Sequence, residues 1–191
     1  MVSFCSPFFV KYFQAAWKFV LLLKVRIIIQ FMKTAKRRYR PQRLFFSLTK
    51  QSQHITPKQK QFMRWINAAL LFIGKKAEIS LLLCDEHQAQ EYNAHYRGKD
   101  YATNVLSFEL GHDFRQPERL LGDLIICPAV VEKEAKEQGK DLIAHYAHLT
   151  IHGILHIAGF DHIDDEDAKV MEAAEIAIMQ SLNYQNPYKE I

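Results

Sequence analysis

Cysteine is scarce in this chain of 191 residues, which contains only Cys5, Cys84 and Cys127. The three are far apart and odd in number, which argues against a disulfide framework and against a cysteine-based zinc site. Cys84 and Cys127 each end an apolar run, so we expect both to be core residues. A reducing compartment, the cytoplasm, is therefore the predicted location.

Apolar runs long enough to cross a membrane are also missing. A membrane-spanning helix needs about 20 predominantly apolar residues. Near the N-terminus every candidate window is interrupted by a basic residue, namely Lys18, Lys24, Arg26 or Lys33. No small-residue cleavage site follows the apolar part, which disfavours a secretory signal. We therefore predict no transmembrane segment.

Acidic residues are absent from positions 1–43, which hold ten of the 25 lysines and arginines. Residues 44–191 therefore carry 15 basic against 21 acidic side chains, although the whole chain has a net charge of +4. Only the N-terminal extension has the charge to attract nucleic acid or an anionic membrane. Three interpretations of it stay open: an amphipathic surface helix, an RNA- or ribosome-binding arm, or a start codon assigned too early, with Met32 as a possible start.

Internal repeats and low-complexity linkers are absent, and the length and the hydrophobic content of 49% favour one domain, which we place at residues 44–191. Strands are predicted at 44–48, 79–84, 104–108 and 121–126, and helices at 56–74, 85–95, 128–137, 141–158 and from 164 onward. The segment 110–120 is expected to be a loop. Strands and helices alternate first and helices gather at the end, which predicts an α/β or α+β fold with a small mixed sheet.

Several details of these elements are predicted from single residues. Thr56 is expected to cap the first helix, with Pro57 at the first helical position. The apolar run 79–84 is typical of a strand buried on both faces. Asp164 is expected to cap the last helix, so the acidic run 164–167 is interpreted as helix capping and not as a second metal site.

Three histidines near the C-terminal end of the fourth predicted helix form the most specific pattern in the chain. His152 and His156 are four residues apart, so they share one helix face. Gly159 can end that helix, because glycine enters the left-handed conformation at little cost. His162 can then approach the same ion from the following turn. Three imidazole ligands leave a fourth tetrahedral position open, as in catalytic zinc sites.

The same spacing occurs in the metzincin proteases, H-E-x-x-H-x-x-G-x-x-H. In this chain Gly153 stands where those enzymes carry the glutamate that acts as general base. The pattern therefore predicts a metal site but disfavours ordinary peptide hydrolysis.

Other polar residues allow two interpretations each. Asp161 can orient a ligand or accept a proton, or it can fix the turn through the backbone. His145 and His148 can orient metal ligands, or they are ordinary hydrogen-bonded histidines. Arg97, in a polar loop with Lys99, can bind phosphate, or it is a solvated surface residue.

Four sequence blocks together resemble the signatures of the YbeY family, over roughly residues 44–188. They are Tyr96-Arg97-Gly98-Lys99-Asp100, Thr103-Asn104-Val105-Leu106-Ser107-Phe108, Leu121-Gly122-Asp123-Leu124 and the histidine block from His152 to His162. The departures are small: Tyr101-Ala102 replaces a more polar or proline-containing pair, and Phe160 stands where Tyr is frequent. Residues 1–38 have no counterpart in the usual member of the family.

The resemblance implies one zinc ion on His152, His156 and His162, and cleavage of single-stranded RNA. It also implies maturation of the 3′ end of 16S rRNA, ribosome quality control, and the small ribosomal subunit and a ribosome-associated GTPase as partners. Arg97 becomes an expected RNA-phosphate or transition-state contact. Two rival functions are a zinc-stabilised ribosome assembly factor without catalysis and a metzincin-like peptidase.

Overall fold

Four strands and five helices are described by the computed structural model, which covers residues 44–113 and 116–189. In chain order they are β1 (Leu44–Lys50), α1 (Gln59–Ile73), β2 (Lys76–Leu83), α2 (Glu86–Arg97), β3 (Val105–Asp113), β4 (Gln116–Ile126), α3 (Pro128–Glu137), α4 (Leu142–Ile157) and α5 (Asp165–Ser181). The basic extension 1–43, with its three interpretations, lies outside the described residues.

The strands form one mixed sheet in the order β1-β2-β4-β3. Strands β1 and β2 run parallel, as do β2 and β4, whereas β3 and β4 are antiparallel. Each parallel connection passes through helical segments, as the crossover between parallel strands requires. The predicted α/β class with a small mixed sheet is confirmed.

One face of the sheet carries the main hydrophobic core, to which helices α1, α4 and α5 contribute. Trp65, Phe62 and Tyr146 are fully buried there and pack edge to face. A smaller cluster forms around Cys84, Ala89 and Cys127. Both of these cysteines are buried, as the sequence predicted, and burial raises the pKa of the Cys84 thiol to about 12.

Helix starts follow capping chemistry in most cases. The carboxylates of Asp85, Asp141 and Asp164 each accept a backbone N–H from the first turn of the helix that follows. The prediction that Thr56 caps the first helix is wrong. That helix begins at Gln59, and the N–H of Lys58 donates to Oε1 of Gln61 at 2.9 Å, so side-chain capping occurs two residues later than expected.

The expected loop at 110–120 is also wrong, because β3 continues to Asp113 and β4 already begins at Gln116. The loop was expected because Gly111 and Pro117 lie in this segment and both residues disfavour a continuous strand. The pairing instead absorbs the irregularity through register shifts between Glu109 and Gly111 and between His112 and Asp113.

Strand β2 is not buried along both faces as predicted. Ile79, Leu81 and Leu83 face the core, whereas Ser80 is exposed. Leu82 on the second face is partly buried against the smaller cluster. Burial on both faces therefore occurs only near the end of the strand.

Helix α4 approaches the sheet closely at Gly153. A Cβ atom at this position would lie 2.4 Å from Cδ2 of Leu124 and 3.6 Å from Cγ2 of Val105. Position 153 therefore points into the sheet and is buried. A glutamate at this position would enter the core.

We expect Gly153→Glu to lower the free energy of unfolding by about 3 kcal/mol, because it overpacks the interface with Leu124 and buries an unpaired charge. Chemical denaturation measures the change. Gly153→Ala is the matched control and should cost about 1 kcal/mol, since overpacking is partly offset by the higher helix propensity of alanine. Equal stability of Gly153→Glu and the unchanged protein would contradict this packing.

Candidate metal centre

His152 and His156 face each other from successive turns of α4. Their Nε2 atoms are 3.1 Å apart and their ring centroids are 4.5 Å apart. His162 completes the group, with ring centroids 5.5 Å from His152 and 5.0 Å from His156. One ligand atom from each of the three rings lies within 4.8 Å of the others, so the group can hold a metal ion.

The turn that brings His162 to the helix depends on Gly159. This residue has φ +85°, and its N–H donates to the carbonyl of His156 at 2.9 Å. The N–H of Phe160 donates to the carbonyl of Leu155 at 3.0 Å, which completes a Schellman motif. The helix end predicted at Gly159 is confirmed, and the reversal directs the chain toward the ion site.

Both helix histidines are oriented through their second ring nitrogen. Nδ1 of His152 lies 2.7 Å from Oε1 of Glu175, and Nδ1 of His156 lies 3.0 Å from the carbonyl oxygen of Phe160. Both partners are acceptors, so each Nδ1 carries the hydrogen and each Nε2 keeps a lone pair for a metal. The donor set and its orientation fit a divalent metal that prefers imidazole.

The sequence predictions missed Glu175. This glutamate lies in the apolar stripe of α5 formed by Met171, Ala174 and Ile178, and its side chain is fully buried. An acidic residue inside a core-facing stripe was the available signal. Burial raises the pKa of this carboxyl, but the hydrogen bonds from His148 and His152 outweigh burial and lower it to about 2.

The electrostatics of the site favour neutral imidazole at His156. Burial lowers the pKa of His156, and the neighbouring rings of His152 and His162 lower it further. Neutral imidazole is the form that binds metals, so the ring is ready to act as a ligand near neutral pH.

Of the two residues with open interpretations on α4, His148 lies at the metal centre and His145 does not. Nε2 of His148 lies 3.3 Å from Oε2 of Glu175, the carboxylate that orients His152. Nε2 of His145 instead lies 2.9 Å from Oε2 of Glu134, which also accepts from the side-chain amide of Asn104. His145 therefore connects α4 to α3 and to the start of β3.

Asp161 and Arg97 are both exposed. The carboxylate of Asp161 accepts the backbone N–H of His162 at 2.7 Å, so the described contact is with the turn. Arg97 is the last residue of α2 and not part of a loop, and the helix ends at Gly98 with φ +66°. Within residues 44–113 and 116–189, Arg97 makes no side-chain hydrogen bond or ion pair.

Among the helices that the structure describes, none combines the length and apolarity that crossing a bilayer demands.

Comparison with known proteins supplies the family. Over 138 residues, the chain is 54% identical to the Endoribonuclease YbeY of Neisseria meningitidis serogroup C, covering 70% of this chain and 81% of that protein. The Endoribonuclease YbeY of Neisseria gonorrhoeae is 55% identical over 138 residues, with the same shares covered.

The solution structure of a protein from Thermotoga maritima matches 76% of this chain and 99% of its own, with a TM-score of 0.46 and 22% identity. The family model described as Endoribonuclease YbeY matches residues 47–183, which include all three histidines and Glu175. The chain therefore belongs to the endoribonuclease YbeY family.

Proposed function

We propose that this protein is a zinc-dependent endoribonuclease that cleaves single-stranded RNA. The observation that carries the proposal is the convergence of His152, His156 and His162 on one ion-sized site in a member of this family. Its role is the maturation of the 3′ end of 16S rRNA and ribosome quality control in the cytoplasm. The small ribosomal subunit and a ribosome-associated GTPase are its partners, a proposal that rests on family resemblance alone.

The three histidines hold one zinc ion per chain. Imidazole nitrogen suits zinc, and three protein ligands leave a position for water or substrate. When bound, zinc supplies a Lewis acid that polarises a phosphoryl oxygen and lowers the pKa of a coordinated water. Glu175 and the carbonyl of Phe160 keep two of the rings oriented toward it.

Residues of the chain supply charge stabilisation and proton transfer. The guanidinium of Arg97 binds a phosphate of the RNA and stabilises negative charge that develops during cleavage. Gly153 offers no general base, since its position points at Leu124. The proton acceptor is then Asp161, which neighbours His162, a water molecule or the substrate phosphate itself.

An exposed aromatic surface beside Arg97 supports binding of single-stranded RNA. The ring of Tyr96 is 57% exposed, yet it packs against Phe108 with centroids 4.8 Å apart and against Tyr92 with centroids 6.4 Å apart. Arg97 and Lys99, both exposed, follow this tyrosine along the chain. A fixed exposed ring with adjacent cations is the combination that proteins use to stack bases and follow a phosphate backbone.

His156→Ala should abolish both zinc retention and cleavage of a labelled single-stranded RNA, because it removes one of three ligands. Zinc content and cleavage are measured in the same sample. His145→Ala is the matched control on the same helix, and it should keep one zinc ion and cleavage. Full activity of a zinc-free His156→Ala variant would refute the metal mechanism. If the wild-type protein binds ribosomes but cleaves no RNA, the assembly-factor function is favoured instead.

Arg97→Ala and Tyr96→Ala should affect different kinetic constants. Loss of charge stabilisation should lower kcat about 100-fold in Arg97→Ala, with zinc retained. Loss of one stacking interaction should raise KM about 5- to 30-fold in Tyr96→Ala. Phe45→Ala is the control, because Phe45 is 56% exposed on β1 but lies beneath the guanidinium of Arg119 at 4.5 Å. Normal kinetics of either variant would remove that residue from the site.

Glu175→Gln should weaken zinc binding about 10- to 100-fold, since the neutral amide no longer holds His152 through a charged hydrogen bond. Competition with a zinc chelator measures the affinity. Glu134→Gln is the matched control, because it changes the carboxylate that pairs with His145 in the same way. It should leave the affinity for zinc unchanged. If the two variants bind zinc equally well, Glu175 does not orient a metal ligand.

A further inference from the structure

The carboxylate of Glu175 has a second oxygen, Oε2, which does not contact His152. Oε1 lies beside His152, whereas Oε2 is contacted by the hydroxyl of Tyr188 and by Nε2 of His148. The side chain of Glu175 is fully buried, and these three groups are its side-chain hydrogen-bond partners among the described residues. A buried carboxylate keeps its charge only when such partners satisfy it.

The direction of each hydrogen bond follows from the ionised state of Glu175. An ionised carboxylate only accepts, so Tyr188, His148 and His152 must all donate to it. Burial raises the pKa of the Tyr188 hydroxyl, and its hydrogen bond to Glu175 raises it further, so the hydroxyl keeps its proton. Nε2 of His148 is the second partner of Oε2, at 3.3 Å.

Tyr188 is held in place by contacts that do not involve Glu175. Its backbone N–H donates to Oδ1 of Asn186 at 2.9 Å, and Pro187 before it is buried. Its ring packs edge to face on His148, with centroids 5.3 Å apart. Tyr188 also lies beyond residues 47–183, the part of the chain that the family model matches.

We propose that Tyr188 is a positioning residue of the metal centre, whose hydroxyl fixes Glu175 so that His152 presents Nε2 to the ion. Without the hydroxyl, Oε2 keeps only the 3.3 Å contact with Nε2 of His148, and the carboxylate can rotate away from His152. The ring of His152 then loses the partner that fixes its tautomer, and the ion dissociates faster. The proposal rests on the metal site of the proposed function.

The test is the rate of zinc release from the full-length protein to a chromogenic chelator. Tyr188→Phe keeps the ring on His148 and removes only the hydroxyl, and we expect release to become about tenfold faster. Tyr184→Phe is the matched control. It removes a hydroxyl of the same C-terminal segment, which accepts a hydrogen bond from Nε1 of Trp65 at 3.2 Å, and release should stay at the wild-type rate.

Two further measurements separate positioning from general stability. The melting temperature of each zinc-free variant reports any loss of packing, and the ¹⁵N chemical shifts of His152 report its tautomer in the same sample. If Tyr188 had a purely structural role, Tyr188→Phe would lower the melting temperature but leave the tautomer of His152 unchanged and release zinc at the wild-type rate. This result would overturn the proposal. Release by Tyr188→Phe at the wild-type rate would overturn it as well.

The wild-type protein separates this inference from the proposed function. If the wild type binds no zinc at the three histidines, the proposed function fails and the role of Tyr188 fails with it. If the wild type binds zinc and cleaves RNA while Tyr188→Phe retains zinc equally well, only the inference fails.

Discussion

Helix α4 packs closely against the sheet at position 153, where a Cβ atom would lie 2.4 Å from Cδ2 of Leu124. That contact and the close approach of Ile157 to Gly122 turn this face of the helix toward β4. With residue 153 facing β4, His152 and His156 are turned toward α5 and the turn after α4, where Glu175 and His162 lie. Gly153, which stands where the metzincins carry their general base, is thus a position of close packing between α4 and β4.

Glu175 extends this arrangement across three parts of the chain. It lies on α5, orients His152 of α4 and accepts a hydrogen bond from the hydroxyl of Tyr188 in the C-terminal segment. Such a buried carboxylate costs desolvation energy and is tolerated because every partner donates to it. The candidate metal site is therefore supported from the core and not only from the exposed turn that carries His162.

The clustering of the three histidines could be predicted from sequence because their geometry is local. A spacing of four residues on a helix and a glycine before the third histidine specify a geometry without knowledge of the fold. Glu175 and Tyr188 could not be predicted in the same way, since they meet His152 only through the packing of α5 and the C-terminal segment. The expected loop at 110–120 failed for a related reason: the end of β3 and the start of β4 pair with each other there, despite the glycine and the proline.

The central claim is that one ion is held by His152, His156 and His162. X-ray absorption spectroscopy of the zinc-loaded, full-length protein tests it most directly. The account predicts three imidazole nitrogens at about 2.0–2.1 Å and one further light-atom ligand, with one imidazole lost in His162→Ala. Sulfur in the coordination sphere, or a spectrum that His162→Ala leaves unchanged, would contradict it.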